Sequence, residues 1–426
     1  MEIHVVRAGE TLYGIAGQYR VDPATLQELN GVSPDSALAV GQTLVIRRVG
    51  TFHTVQPGET LTGIARLYGI PLRRLYRNNF DLGGEPDLQT GQRLVIAYQD
   101  QPAASTHTNG YAYPFITTRL LSAELPYMSY LTPFTYGLNA EGGLVPLADE
   151  TMLTQARRLG TAPLMHLSTI TESEEFSSER AVMVLTDMTL QNKLIDQIME
   201  TISAKGYQGL DVDFEYIPGE KREAYAMFIH RLRERLSVSR LPVIVALAPK
   251  TSAGQPGLLY EAHDYALLGK AADFVLLMTY EWGYTAGPPM AVAPLPNVRA
   301  VLDYAVTEIP REKIYLGIPN YGYDWPLPFQ QGETFAKSIS NQAAVEQAAR
   351  YGVEIQYDQT AQAPWFTYTA SDGIQHVVWF EDARSMSAKL RLISEYGLYG
   401  AGYWNLMRPN PQGWAVLNAL YEVADG

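Results

Sequence analysis

The chain has 426 residues, 46% of them hydrophobic, enough to bury a sizeable core and to form two or three domains. A formal charge of -13 argues against a nucleic-acid partner, and the absence of cysteine excludes disulfides, thiol nucleophiles and zinc-thiolate sites. The opening residues MEIHVVRAGETL carry neither the cationic start nor the apolar stretch of a secretory signal, and no segment is apolar for long enough to span a bilayer.

The N-terminal region repeats itself. His4-Val-Val-Arg-Ala-Gly-Glu-Thr-Leu12 recurs as His53-Thr-Val-Gln-Pro-Gly-Glu-Thr-Leu61, a period of 49 residues. The match continues through Gly14-Ile-Ala and Gly63-Ile-Ala, then Asn30 and Asn79, and ends in Gly41-Gln-Thr-Leu-Val-Ile46 and Gly91-Gln-Arg-Leu-Val-Ile96. Each copy predicts a short strand, two helices and a β-branched closing strand, with Asp22 capping and Pro23 opening the second helix of copy one. These motifs resemble LysM modules, expected at 1–48 and 50–98. The resemblance implies binding of glycans that contain N-acetylglucosamine, such as peptidoglycan or chitin.

Residues 99–109 are small and polar without periodicity, which predicts a linker. Eight β-rich runs follow, alternating with helical stretches: 110–115, 128–136, 162–168, 208–215, 243–247, 273–280, 314–319 and 399–404. Amphipathic segments such as 190–205 and 222–236 stand between them, the pattern of a parallel sheet with crossover helices. The predicted architecture is an α/β fold, a (β/α)8 TIM barrel over 110–426, with a small α+β insertion at about 326–380.

The fourth run, GLDVDFE, carries the chemistry. Alternation along a strand puts Asp211, Asp213 and Glu215 on one face and Leu210, Val212 and Phe214 on the other, with successive carboxylates about 6.6 Å apart. Three carboxylates crowded into a cleft retain at least one proton near neutral pH, as a general acid requires. Barrel sites open at the C-terminal ends of strands, so Glu215 stands nearest the substrate.

This run resembles the Asp-Gly-x-Asp-x-Asp-x-Glu signature of family 18 glycoside hydrolases, with Gln208 in place of the first Asp. Met278-Thr-Tyr-Glu281, Gly317-Ile-Pro-Asn-Tyr-Gly322 and Trp404 resemble the same family's sixth, seventh and eighth strands. The combination of LysM repeats with this barrel, and the strings MTYEWG and NYGYDW, resembles bacterial spore cortex-fragment-lytic N-acetylglucosaminidases.

The resemblance implies a substrate-assisted retaining mechanism, an exception to the two-carboxylate scheme of most glycosidases. Glu215 is then the proton donor, Asp213 orients the 2-acetamido group, Asp211 shares a proton behind it and Tyr280 donates to the acetamido group. Glu281, Trp404, Tyr321 and Asn320 are the expected substrate contacts. No cofactor and no metal are expected, and the isolated His166 and His263 read as structural.

The expected activity is cleavage of N-acetylglucosaminyl bonds in peptidoglycan, with spore cortex fragments as substrate and the LysM modules holding the glycan. A chitinase or endo-N-acetylglucosaminidase shares all these residues, and a catalytically silent spore-coat protein is the non-enzymatic alternative. The expected location is the spore coat or cortex surface, reached without a signal peptide, with the cell wall as the alternative.

Overall fold

The computed structural model describes every residue except Pro34, Asp35, Glu172 and Glu174. The two repeats fold alike. In the first, strands Glu2–Val5 and Thr43–Ile46 pair antiparallel around helices Leu12–Tyr19 and Pro23–Asn30; in the second, Val49–Thr54 and Arg93–Tyr98 pair around Leu61–Tyr68 and Leu72–Asn78. The shared motif follows from local bonding. Glu10 accepts from the Arg7 N–H at 2.7 Å and contacts His4 at 2.9 Å, while Thr11 caps the first helix; Glu59, Gln56, His53 and Thr60 repeat the arrangement. Asn30 and Asn79 close each module by accepting from the N–H of Val45 and Val95 at 2.6 and 2.7 Å.

The barrel strands are β1 (Ala104–Ala112), β2 (Tyr130–Pro133), β3 (Ala162–Pro163 and Met165–Ser168), β4 (Leu210–Asp213), β5 (Val243–Leu247), β6 (Phe274–Leu277), β7 (Ile314–Pro319) and β8 (Gly400–Trp404). All pair in parallel, and a helix follows each. Closure falls on β3, whose first piece pairs with β2 and whose second pairs with β4. At the break between them, Leu164 donates to the Leu131 carbonyl at 2.8 Å. Helix ends are set by the sequence: Asp187 caps Met188–Lys205, which stops at Gly206 in the left-handed region, just ahead of β4.

One expectation fails here. The predicted linker is strand from Ala104 onward. Its Thr106 and Thr108 side chains are buried, and Thr108 Oγ1 donates to the Tyr127 carbonyl at 2.7 Å and accepts from the Ser129 N–H at 2.9 Å. Buried hydroxyls satisfied by backbone replace the apolar alternation that marks a strand in sequence.

Between β7 and the helix Ala383–Tyr396 lies an antiparallel five-stranded sheet that already begins at Gly322–Pro326, with helix Asn341–Tyr351 packed on it through Ala344, Ala348, Phe366 and Val378. The modules dock directly on the barrel. Glu422 accepts from Arg74 at 2.5 Å and pairs with Arg77, Tyr127 donates to the Arg77 carbonyl at 2.7 Å, and Gln412 donates to the Thr43 carbonyl at 2.6 Å.

The two equivalent glycines Gly41 and Gly91 report this docking. Both lie in the left-handed region at φ +83 and +86, but a Cβ at Gly41 would stand 2.0 Å from the Ile355 carbonyl oxygen, whereas one at Gly91 would meet nothing within 4 Å. Gly91→Ala is expected to cost about 1 to 3 kcal/mol from backbone strain alone. Gly41→Ala should cost clearly more, read as a lower midpoint in thermal denaturation of the two variants.

Candidate active site

The side chains of β4 alternate around the barrel wall. Leu210, Val212 and Phe214 are fully buried on the outer side, where the Phe214 ring stacks on Tyr225 and Phe228 of helix Arg222–Ser237 at 5.7 Å each. On the inner side, Asp211 is fully buried and Asp213 is 6% exposed, while Glu215, just past the strand end, is partly open to the cleft.

Asp211 is the best supported. Its Oδ2 accepts from the Tyr111 hydroxyl at 2.5 Å and from Asn109 Nδ2 at 3.2 Å; Asn109 is itself held by Thr132 at 2.8 Å. Asp211 Oδ1 and Asp213 Oδ1 are buried with no hydrogen-bond partner among the described residues. Buried polar atoms left unsatisfied by the protein are costly, and their concentration here marks a place where a proton or a substrate N–H is received.

The electrostatics agree. Burial pushes Glu215 up to about 7 and, against the hydrogen bonds from Tyr111 and Asn109, Asp211 up to about 6. Asp213 is pushed well above the usual carboxylate range by burial, then by the charges of Glu215 and Asp211 on either side. Asp213 and Glu215 titrate together, and the pair retains a proton at neutral pH.

A group whose folded value is raised favours the fold below its unfolded value and loses that contribution as pH rises through the folded one. The cleft should therefore make the protein more stable at pH 5 than at pH 8. Thermal denaturation across that range tests this, and Asp213→Asn should flatten the dependence.

Around the carboxylates stand residues of the other strands. Trp404 at the end of β8 is partly exposed and packs edge-on against Phe134 at 4.9 Å, beside Tyr111 at 5.9 Å and Tyr113 at 6.0 Å. Tyr280, beyond β6, is partly buried, and its hydroxyl has no hydrogen-bond partner among the described residues; burial and the charges of Asp213 and Glu215 push it well above the usual phenol range. Glu281 follows with a left-handed backbone at φ 66 and receives hydrogen bonds from the hydroxyls of Tyr321 and of Tyr323, the latter at 3.1 Å.

Two expected substrate contacts have other work. Asn320 is buried and spends its amide on the carbonyls of Asn405 and Arg408, at 3.0 and 2.8 Å, which anchors the loop after β8. Tyr321 is buried against Glu281 and supports that carboxyl from behind. Gln208, where the signature has Asp, is exposed ahead of β4 with its amide on the Gly206 carbonyl at 3.2 Å, outside the carboxylate row.

Sequence reading missed Asn109, Tyr111 and Tyr323. Their signal was faint: Asn109 and Tyr111 sit in a strand whose start reads as linker, and their contact with Asp211 spans about a hundred positions. His166 is buried, pushed down to about 3 by desolvation and bonded to Thr135 at 2.6 Å, as a neutral structural histidine should be. No group of three or more His, Asp or Glu side chains that could hold a metal occurs among the described residues.

Residues 170–408 match the model of glycosyl hydrolases family 18, and residues 4–47 and 53–97 each match the LysM domain. The chain belongs to glycosyl hydrolase family 18. It is a glycoside hydrolase carrying two LysM modules, and the family 18 match spans the strand that bears Asp211, Asp213 and Glu215.

The chain is similar to the cortical fragment-lytic enzyme of Bacillus subtilis (strain 168), 41% identical over 431 residues that cover 99% of each chain. Its namesake in Bacillus anthracis is 38% identical over 98% of this chain and 97% of that one. Among solved structures, the Bacillus cereus spore cortex-lytic enzyme SleL superposes with a TM-score of 0.84 at 38% identity, covering 99% of this family 18 chain and 98% of that one. A chitinase from Chromobacterium violaceum ATCC 12472 matches with a TM-score of 0.68 at 26% identity over 74% of this chain and 99% of its own.

Proposed function

We propose that this family 18 enzyme hydrolyses N-acetylglucosaminyl bonds in peptidoglycan, with spore cortex fragments as its substrate, by substrate-assisted retaining catalysis. The observation that carries the reading is the graded carboxylate row: Asp211 braced from behind, Asp213 with an unsatisfied buried oxygen, and Glu215 open to the cleft and pushed up to about 7.

Glu215 protonates the glycosidic oxygen as the acetamido carbonyl oxygen of the same sugar attacks the anomeric carbon, and the leaving sugar departs with the proton. The acetamido N–H donates to Asp213, whose own proton moves to Asp211 as positive charge develops on the oxazolinium ring. Glu215, now ionised, takes a proton from water as that water opens the ring with net retention. Tyr280 donates its free hydroxyl to the acetamido group, Trp404 offers an aromatic face to the sugar, and Glu281 contacts the same ring.

The general acid must carry its proton, so activity should fall as pH rises through about 7, the value to which burial pushes Glu215. Initial rates on an N-acetylglucosaminide between pH 5 and 9 measure this, and an activity that climbs steadily to pH 9 would contradict the assignment of Glu215.

Peptidoglycan as substrate is supported by the similarity along the full chain to cortical fragment-lytic enzymes, and the LysM modules supply glycan binding. Chitin oligomers are the second reading, supported by the likeness to the Chromobacterium chitinase. Mass spectrometry of products from cortex fragments and from chitin oligomers, with wild type and Glu215→Gln, separates them. The same reading locates the protein at the spore surface, and immunodetection on purified spores tests it; protein confined to vegetative cells would refute that location.

A further inference from the structure

The end of β4 is a break that the barrel ladder does not hold. Pairing with β3 runs to Asp213, but pairing with β5 stops at Val212. The Phe214 carbonyl therefore lies outside the ladder, and two residues on Tyr216 turns into the left-handed region at φ 55. Yet the peptide that joins Phe214 to Glu215 is the base from which the Glu215 carboxyl projects, and a buried carbonyl needs a partner.

That partner is His263. Its ring is 1% exposed, with Nδ1 at 2.7 Å from the Ala248 N–H and Nε2 at 2.9 Å from the Phe214 carbonyl oxygen. A backbone N–H only donates, so Nδ1 is the acceptor and the single proton of the neutral imidazole sits on Nε2, donating to Phe214. The ring is fixed on both sides. Ala248 follows β5 directly and its carbonyl accepts from the Tyr265 hydroxyl at 2.7 Å, while Asp264, next to His263, caps helix Tyr265–Ala271 through the Leu267 N–H at 3.0 Å.

We infer that His263 is a positioning residue for Glu215: its Nε2–H holds the Phe214–Glu215 peptide plane at the angle that brings the Glu215 carboxyl onto the glycosidic oxygen. The inference rests on the reading of Glu215 as proton donor. Nothing else in the mechanism uses His263, and its distance from Phe214 in sequence, 49 positions, hides the link from any local motif.

Two substitutions separate the two ring nitrogens. Glutamine reaches far enough to place an amide N–H where Nε2–H stands and keeps the clamp on Phe214. Asparagine places its amide oxygen where Nδ1 stands, satisfies Ala248 and drops the clamp. Misplacing a catalytic group by an ångström costs about 10²-fold, so His263→Asn should lose about that much in kcat, with KM changed by no more than about twofold, and His263→Gln should recover most of it.

Steady-state kinetics on an N-acetylglucosamine oligomer, with melting temperatures of both variants, give the result. Equal kcat in the two variants, or a loss confined to KM, would overturn the inference. Nitrogen-15 NMR of the wild-type histidine rings adds a test that needs no variant: His263 must be protonated on Nε2 alone, and protonation on Nδ1 would refute the clamp. Glu215→Gln run alongside keeps the two ideas apart. Activity in that variant removes the proton-donor reading, while an inactive Glu215→Gln beside a fully active His263→Asn removes only the role of His263.

Discussion

Glu215→Gln is expected to fold as the wild type does and to lose about 10²- to 10⁴-fold in kcat on an N-acetylglucosaminide, the usual worth of general acid catalysis. The carboxyl makes no hydrogen bond to the protein among the described residues and stands partly open to the cleft, so its replacement by an isosteric amide disturbs no packing. What the amide lacks is a transferable proton. The contrast should show in substrates with different leaving groups: an activated aryl glycoside, which departs without protonation, should lose less than a natural oligosaccharide. Equal, small losses on both substrates would show that the proton comes from elsewhere.

Asp213→Asn is expected to cost about 10²- to 10³-fold in kcat, in line with the removal of one preorganised electrostatic partner from a dry site. The same substitution should raise the melting temperature at pH 8. Asp213 is 6% exposed, lies between two other carboxylates and has an oxygen without a partner, so the folded protein bears the cost of keeping it. An amide of the same shape removes that charge repulsion. A variant that is both slower and more stable is the signature of a residue retained for chemistry, and calorimetry with steady-state kinetics on the same preparation provides the check. A slower variant that is also less stable would point to a structural role.

These two effects are unequal for a reason found in the strand itself. Burial decreases from Asp211 to Glu215 as β4 runs toward the mouth of the barrel, and hydrogen-bond support decreases with it. Asp211 has two donors, and Glu215 has none among the described residues. The innermost carboxyl is braced, the middle one keeps a buried oxygen without a partner and the outermost one is free to act.

Much of this was legible in the chain because it depends on neighbours in sequence. Alternation put Asp211, Asp213 and Glu215 on one face, and the paired Gly-Glu-Thr-Leu motifs read as helix starts because the Glu and Thr side chains bond backbone within three residues. Barrel strands 243–247 and 314–319 also read directly, since apolar runs bounded by turns mark strands buried on both faces.

Other features needed the closed barrel. Tyr111 and Asn109 reach Asp211 only because β1 and β4 face each other across the interior, and the polar start of β1 disguises it as a linker. Asn320 lies in a segment typical of the seventh strand, yet its amide is turned to the loop at 405–408, a choice made by which carbonyls lacked donors. A linker was expected to separate the LysM modules from the barrel, but the second packs on it through Arg74, Arg77 and Glu422 and the first through Thr43 and Gln412, pairings that no periodicity announces. The sequence by itself determined the elements, the module type and the order of the carboxylates, because these follow from contacts within a few residues. Which side chains support that row, and from what angle Glu215 enters the cleft, was decided by tertiary structure, because those bonds join positions brought together only when the sheet closes.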